Sequence, residues 1–196
     1  MKYLIIAPHT DDESIACGGT IASLLERGHT VDVITLSCIY DKVNLSLEWV
    51  AAMDVLGVTS YRKADFTTRQ FYKQYDDILQ YLYPYTAGEY DFIFAPNSID
   101  AHSDHSTVGR ACERVFKNDS LITYQHNWNS RTIEMNYFVE LEKRHIEKKI
   151  EALACYKSQQ HRSYFNKDYI YANALNTGVM CGLKYSEGFK SINLIV

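Results

Sequence analysis

The chain has 196 residues, 46% of them hydrophobic, and 20 basic against 24 acidic side chains give a formal net charge of −4. That length allows one domain with a substantial core, spanning 1–196. The mild acidity and lack of a basic patch exclude an electrostatic case for nucleic acid, and no apolar run approaches the ~20 residues of a membrane span. The apolar run at the N-terminus is too short for a signal peptide, so a cytoplasmic protein without membrane insertion is expected.

Lys2–Ala7 is an uninterrupted apolar run, as for a strand covered on both faces. A helix is expected from about Ser14 to near Gly28, then a strand over Val31–Leu36. Leu47–Leu56 reads as a helix with Gly57 as its C-cap, and Tyr61–Asp65 as a weak third strand. Phe71, Tyr75, Ile78, Leu79 and Leu82 share one helical face. A fourth strand, Phe92–Ala95, stops at Pro96, and Val108, Ala111, Cys112, Val115 and Phe116 mark the next helix. Leu121–Tyr124 reads as strand five, and Ile146, Ile150, Leu153 and Ala154 stripe a charged helix. Ile192–Val196 reads as a last strand, while Asn127–Tyr137 and Asn166–Lys184 carry no clear pattern.

Strands alternating with helices predict an α/β fold: Rossmann-like and doubly wound, with a mainly parallel sheet of five or more strands and helices on both faces. The common strand order 3-2-1-4-5 makes strands one and four neighbours, and such sheets bind ligands in that crevice, at the carboxyl ends of the strands. Two polar clusters leave those two strands. His9, Asp11, Asp12 and Glu13 follow the first; Asp100, His102, Asp104 and His105 follow the fourth. Carboxylates crowded into a crevice repel one another and lose hydration, and a divalent cation offsets both costs. The five cysteines, Cys17, Cys38, Cys112, Cys155 and Cys181, are odd in number, show no C-x-x-C spacing and read as reduced core thiols. Imidazole and carboxylate without thiolate suit one catalytic Zn2+ with an open position for water; the same donors would accept Fe2+, Co2+ or Mn2+.

The residues HTDDE before a Gly-Gly-Thr helix, then HSDH after a mid-chain strand, resemble the LmbE/PIG-L-like family of zinc-dependent N-deacetylases. KKIEALACYKSQ is similar to that family's late K-x-x-A-L-x-x-H-x-S-Q helix, and YSEGF to its Y-A-E-A-F. The resemblance implies that His9, Asp12 and His105 hold the metal and that Asp11 is the general base. It implies that a protonated His102 stands over the oxyanion or serves as acid, with Asp104 orienting it. Glu13 is read as structural. The implied substrate is a small N-acetylated amino-sugar conjugate of the N-acetylglucosamine type, cleaved by zinc-activated water. The alternatives are hydrolysis of another small amide or ester, or a degenerate metal binder. A homo-oligomer is compatible with this reading.

The chain departs from the family pattern at three places. Thr10 replaces a Pro in the first motif, Leu45 stands where relatives often carry a substrate-touching Arg, and Tyr156 replaces the late His. Lys42 or Arg69 are candidate substitutes for that Arg. Of sixteen tyrosines and two tryptophans, Trp49 and Trp128 among them, most are expected to fill half-buried positions rather than stack on a sugar. His29, His126, His145 and His161 read as ordinary histidines in turns or on charged faces, although His126, just after strand five, could reach the crevice rim. A nucleotide-binding module is disfavoured, because CGGT is not G-x-G-x-x-G and three acids precede it.

Overall fold

The computed structural model describes residues 1–37, 44–86 and 89–195. Seven strands form a single sheet in the order β3-β2-β1-β4-β5-β7-β6. They are β1 (Lys2–His9), β2 (Thr30–Ser37), β3 (Ser60–Lys63), β4 (Phe92–Pro96), β5 (Leu121–Tyr124), β6 (Tyr137–Glu140) and β7 (Ser186–Ser191). The first five run parallel, with Tyr3 opposite both Val31 and Phe92 and Ile93 opposite Leu121. Strand β7 is antiparallel to β5 and to β6. The helices are α1 (Asp12–Glu26), α2 (Asn44–Leu56), α3 (Tyr75–Leu82), α4 (Ser103–Val115), α5 (Lys143–Ala154) and α6 (Lys167–Cys181).

The unbroken apolar strands follow from this layering, since alternate side chains enter different cores. Tyr3, Ile5, Val33, Phe94 and Ile122 pack against α1, α2 and α5, whereas Leu4, Ile6, Ile34, Ile93 and Ala95 meet α3 and α4. Positive φ at Gly28 (78°) and Gly57 (85°) ends the first two helices, a conformation that costs glycine nothing.

Three expectations need correction. The last strand is Ser186–Ser191 rather than Ile192–Val196: the polar SEGFKS run pairs on both sides, while Ile192, Leu194 and Ile195 stay largely exposed. Phe71 precedes α3 in a short 3-10 turn, Phe71–Lys73, and still reaches the same core as Ile78 and Leu82. Cys17 and Cys112 are core thiols, but Cys155 and Cys181 are only partly buried; Cys38 and Lys42 lie outside the described residues.

The C-terminal half is braced by a buried ion pair. Glu187 on β7 accepts from Lys149 Nζ (2.6 Å) and from the amides of Gly19 (3.0 Å) and Thr20 (2.7 Å), inside α1. A Cβ at position 19 would lie 2.7 Å from Leu141 Cδ1 and 3.0 Å from Glu187 Oε1, so a larger residue there would have to displace those side-chain ends. This gives the YSEGF motif a structural role: its carboxylate fixes α1, whose first turn carries the acids of the crevice.

Candidate metal centre and active site

Strand β1 ends at His9, and the chain then turns sharply into α1. Asp11 takes φ 154°, a rare backbone state for a non-glycine residue, and its carbonyl accepts the amide of Ile15 to start the helix. On the neighbouring strand, β4 is followed by a loop in which Asp100 accepts the amide of His102 (2.7 Å). His102 caps α4, its Nδ1 accepting from the amide of Asp104 (3.2 Å). Helix α4 presses closely on this loop: a Cβ on Gly109 would fall 2.6 Å from Ser98 N. The crevice between β1 and β4 therefore brings the two distant clusters together.

His9 Nδ1, Asp12 Oδ2 and His105 Nε2 converge, with separations of 3.2 Å for His9–Asp12, 3.3 Å for His105–Asp12 and 3.3 Å between the imidazoles. Zinc bonds of about 2.0–2.1 Å in a tetrahedron set ligand atoms about 3.3–3.4 Å apart, so these three atoms fit one face of such a site. The rest of each ring is held from behind. His9 Nε2 faces Asp104 Oδ2 at 3.0 Å and His105 Nδ1 faces Asp100 Oδ2 at 3.1 Å. A carboxylate only accepts, so those nitrogens carry the protons and the opposite ones are directed to the cation.

The electrostatics of the metal-free site agree. Burial disfavours the His105 imidazolium, but Asp12 and Asp100 outweigh it and raise its pKa to about 10. Burial also opposes the charge on Asp12, yet His105, His126 and His9 hold its carboxyl well below the usual range. Asp11 goes the other way: burial, then the charges of Asp12 and Glu13, push its carboxyl well above. The two adjacent aspartates are thus sorted by surroundings into a paired carboxylate and one with high proton affinity.

His102 lines the same cavity, and burial first, then the charges of His105 and His9, lower its pKa to about 4. With Nδ1 accepting the helix amide, the neutral ring presents Nε2–H. This departs from the protonated His102 expected from sequence. Asp104 departs as well: its carboxylate hydrogen-bonds His9 and the amide of Arg69 (2.6 Å), so it orients a proposed ligand, although it stays near His102, with which it and His9 form a second group of potential ligand atoms within 4.8 Å of one another. Arg69 meets it with φ 65°, at the end of a loop that Ser37 Oγ ties down by donating to Phe66 O (2.6 Å).

Glu13 is fully buried and lies behind the metal site, accepting from Tyr156 OH (2.9 Å) and Ser14 Oγ (2.8 Å). Burial raises its pKa to about 7, and Tyr156 supplies the hydrogen bond at the position of the family's late His. Leu45 is 3% exposed and packs in the core, so it faces no ligand. Trp49 is also core, edge-on to Tyr61.

Sequence reasoning left three features of this site unassigned. His126 Nε2 lies 3.1 Å from Asp12 Oδ1, on the side away from the other histidines' shared oxygen. Its place just beyond β5, next to β4 in the sheet, was the available signal. Asp100 backs His105, and Arg162 enters the cavity from the α5–α6 connection. The cavity measures about 280 Å³; Asp11, Arg69, Trp128 and Arg162 are among its walls. Trp128 is 40% exposed and stacked on Tyr164, with ring centroids 3.8 Å apart and planes 6° apart.

Comparison with known proteins places this geometry. N,N'-diacetylchitobiose deacetylase from Pyrococcus horikoshii superposes with a TM-score of 0.74 at 22% identity, over 97% of this chain and 83% of that one. The zinc-inhibited form of teicoplanin deacetylase Orf2 gives 0.79 at 15% identity, over 98% and 99%. GalB, the 4-carboxy-2-hydroxymuconate hydratase from Pseudomonas putida KT2440, gives 0.77 at 18%, over 100% and 98%. These likenesses establish the fold, which hosts more than one reaction. A family model described as PIG-L, GlcNAc-PI de-N-acetylase, matches residues 4–116, a stretch that contains both clusters. With the match covering more than half of its length, the chain belongs to the PIG-L family of de-N-acetylases.

Proposed function

We propose that the chain hydrolyses the N-acetyl amide of a small amino-sugar conjugate of the N-acetylglucosamine type, with one divalent ion, zinc by preference, held by His9, Asp12 and His105. The observation that carries this reading is the triangle of donor atoms 3.2–3.3 Å apart with Asp11 lining the same cavity. An ion bound there would act as a Lewis acid and lower the pKa of bound water from 15.7 toward about 7. Asp11 lines the same cavity and takes the proton from the attacking water. His102 donates Nε2–H to the carbonyl oxygen as charge gathers there, and losing one such donor typically costs ~3–4 kcal/mol. Asp11 then gives its proton to the departing amine, which could not leave as an anion. Asp104 and Asp100 hold the two imidazoles in place throughout.

The test is amine release from a panel of N-acetyl sugars by metal-free and zinc-loaded protein. Zinc-dependent release, abolished in D11N while that variant still binds one zinc per chain, supports the proposal. An unchanged rate in D11N removes the base from the mechanism, and consumption of an ester but no amide would move the activity to the alternative hydrolase.

A further inference from the structure

We propose that His126 is a positioning residue for the metal centre: it holds one oxygen of Asp12, so that this carboxylate offers a cation its other oxygen alone and the fourth coordination position stays open to water. The inference rests on the ligand set proposed above and not on the identity of the substrate.

The two oxygens of Asp12 have different surroundings. Oδ2 accepts the amide of His9 (2.9 Å) and faces His9 Nδ1 and His105 Nε2, the two nitrogens of the donor triangle. Oδ1 faces His126 Nε2 at 3.1 Å. That nitrogen is buried and off the line of an ideal hydrogen bond, and no other described group takes it up. A carboxylate only accepts, so the nitrogen beside it carries a hydrogen. Asp12 is thus pinned at both oxygens, by different elements of the fold.

The imidazole of His126 is itself fixed. It is 2% exposed and packs against three rings: Trp128 stacked at 4.8 Å, His105 at 5.1 Å and Tyr124 at 5.6 Å between centroids. Tyr124 donates to Ile6 O (2.8 Å) on β1, and Trp128 lies on Tyr164. The backbone is tied down as well. His126 O accepts the amide of Asn129 (2.9 Å), and Asn129 O accepts that of Ala101 (3.1 Å), next to Asp100. His126 does not line the cavity of Asp11 and His102 but a smaller neighbouring one, so it acts through Asp12 rather than on a substrate.

The consequence follows from what a carboxylate does beside a cation. Free to turn, it can ligate one ion through both oxygens, and zinc accepts a fifth donor. The second oxygen then crowds the position that an attacking water needs. Chelation would carry Oδ1 away from His126 and leave a buried N–H without an acceptor, which opposes the turn. Outer partners of this kind typically change metal affinity or activity by about ten- to a hundredfold when they are replaced.

The experiment loads wild type, H126A and H126Q with Co2+, whose visible absorption is stronger in four-coordinate than in five-coordinate sites. H126A should lose intensity at one cobalt per chain. Its zinc-loaded form should lose about ten- to a hundredfold in kcat for amine release from N-acetylglucosamine, with KM kept. H126Q, whose amide N–H can still face Oδ1, should recover part of both. A merely structural histidine would alter thermal stability and leave the cobalt spectrum as it is, so an H126A spectrum identical with that of wild type overturns the inference. The cobalt readout needs no substrate and stands even if no sugar is cleaved, an outcome that fails the deacetylase reading alone. If H126A does not fold, a crystal structure of the zinc-loaded wild type decides: one Asp12 oxygen on the metal with Oδ1 left at His126 upholds the inference, and both oxygens on the metal overturn it. A wild type that takes up neither metal fails the ligand set itself, and this inference with it.

Discussion

Glu187→Ala would remove the only carboxylate paired with Lys149 among the described residues, leaving an ammonium 6% exposed and without countercharge. Breaking one side of a buried ion pair costs about 3–5 kcal/mol. The amides of Gly19 and Thr20, inside α1, lose the same carboxylate at the same time. Total stability of a domain is about 5–15 kcal/mol, so E187A should be at or near the limit of folding. Lys149→Met should cost less, because the carboxylate keeps two amide donors. The double variant K149M/E187Q should be more stable than E187A, since the charges vanish together and the amide oxygen of Gln can still accept from α1. Urea denaturation followed by circular dichroism gives all three values. A loss below about 1 kcal/mol for E187A, or a double variant no more stable than E187A, would refute the assignment of the pair as the brace of α1.

Asp104→Asn should weaken zinc binding about ten- to a hundredfold, read by competition with a chromogenic chelator, because His9 loses the charged acceptor behind it; unchanged affinity would show that Asp104 does not orient His9. Gly109→Ala should cost about 1–3 kcal/mol in thermal or urea unfolding and weaken zinc binding, since its Cβ would push into the backbone at Asn97 and Ser98, in the loop leading to Asp100. Tyr156→Phe strips one donor from buried Glu13 and should destabilise by about 1–3 kcal/mol with zinc affinity kept, measured on the same two assays. Glu26, held at about 2 by Arg144 and then His145, adds stability above its unfolded pKa of about 4.3 and loses it as pH falls through about 2. The stability gap between wild type and E26Q should therefore be flat above pH 5 and shrink toward pH 2; a gap that widens on acidification contradicts the sign.

The convergence of the two polar clusters was legible because it depends on few variables. Apolar runs locate β1 and β4, right-handed crossovers constrain their neighbours, and polar clusters at adjacent strand ends then have little choice but to meet. The sorting within each cluster was not legible. Whether Asp104 faces His102 or His9 depends on a helix cap and on the left-handed turn at Arg69, neither of which leaves a residue pattern. Helix α6 escaped notice because apolar residues fall on its exposed side, with Leu175, Val179 and Met180 in solvent, so the 3.6-residue stripe is blurred. Strands β6 and β7 were hidden for the opposite reason: an antiparallel pair at the sheet's margin tolerates polar residues such as Ser186, Glu187 and Lys190.

The positions of the clustered His and Asp residues and of the cavity wall along the chain have a consequence for how the two can be altered separately. His9, Asp11, Asp12, Asp100, Asp104 and His105 all lie inside the segment 4–116 that matches the family model, whereas Trp128, Arg162 and Tyr164 lie beyond it. The convergent polar cluster and part of the cavity wall are thus written on successive stretches of one polypeptide. Substitutions at Trp128, Arg162 or Tyr164 would reshape that wall without touching the clustered His and Asp side chains of the first stretch.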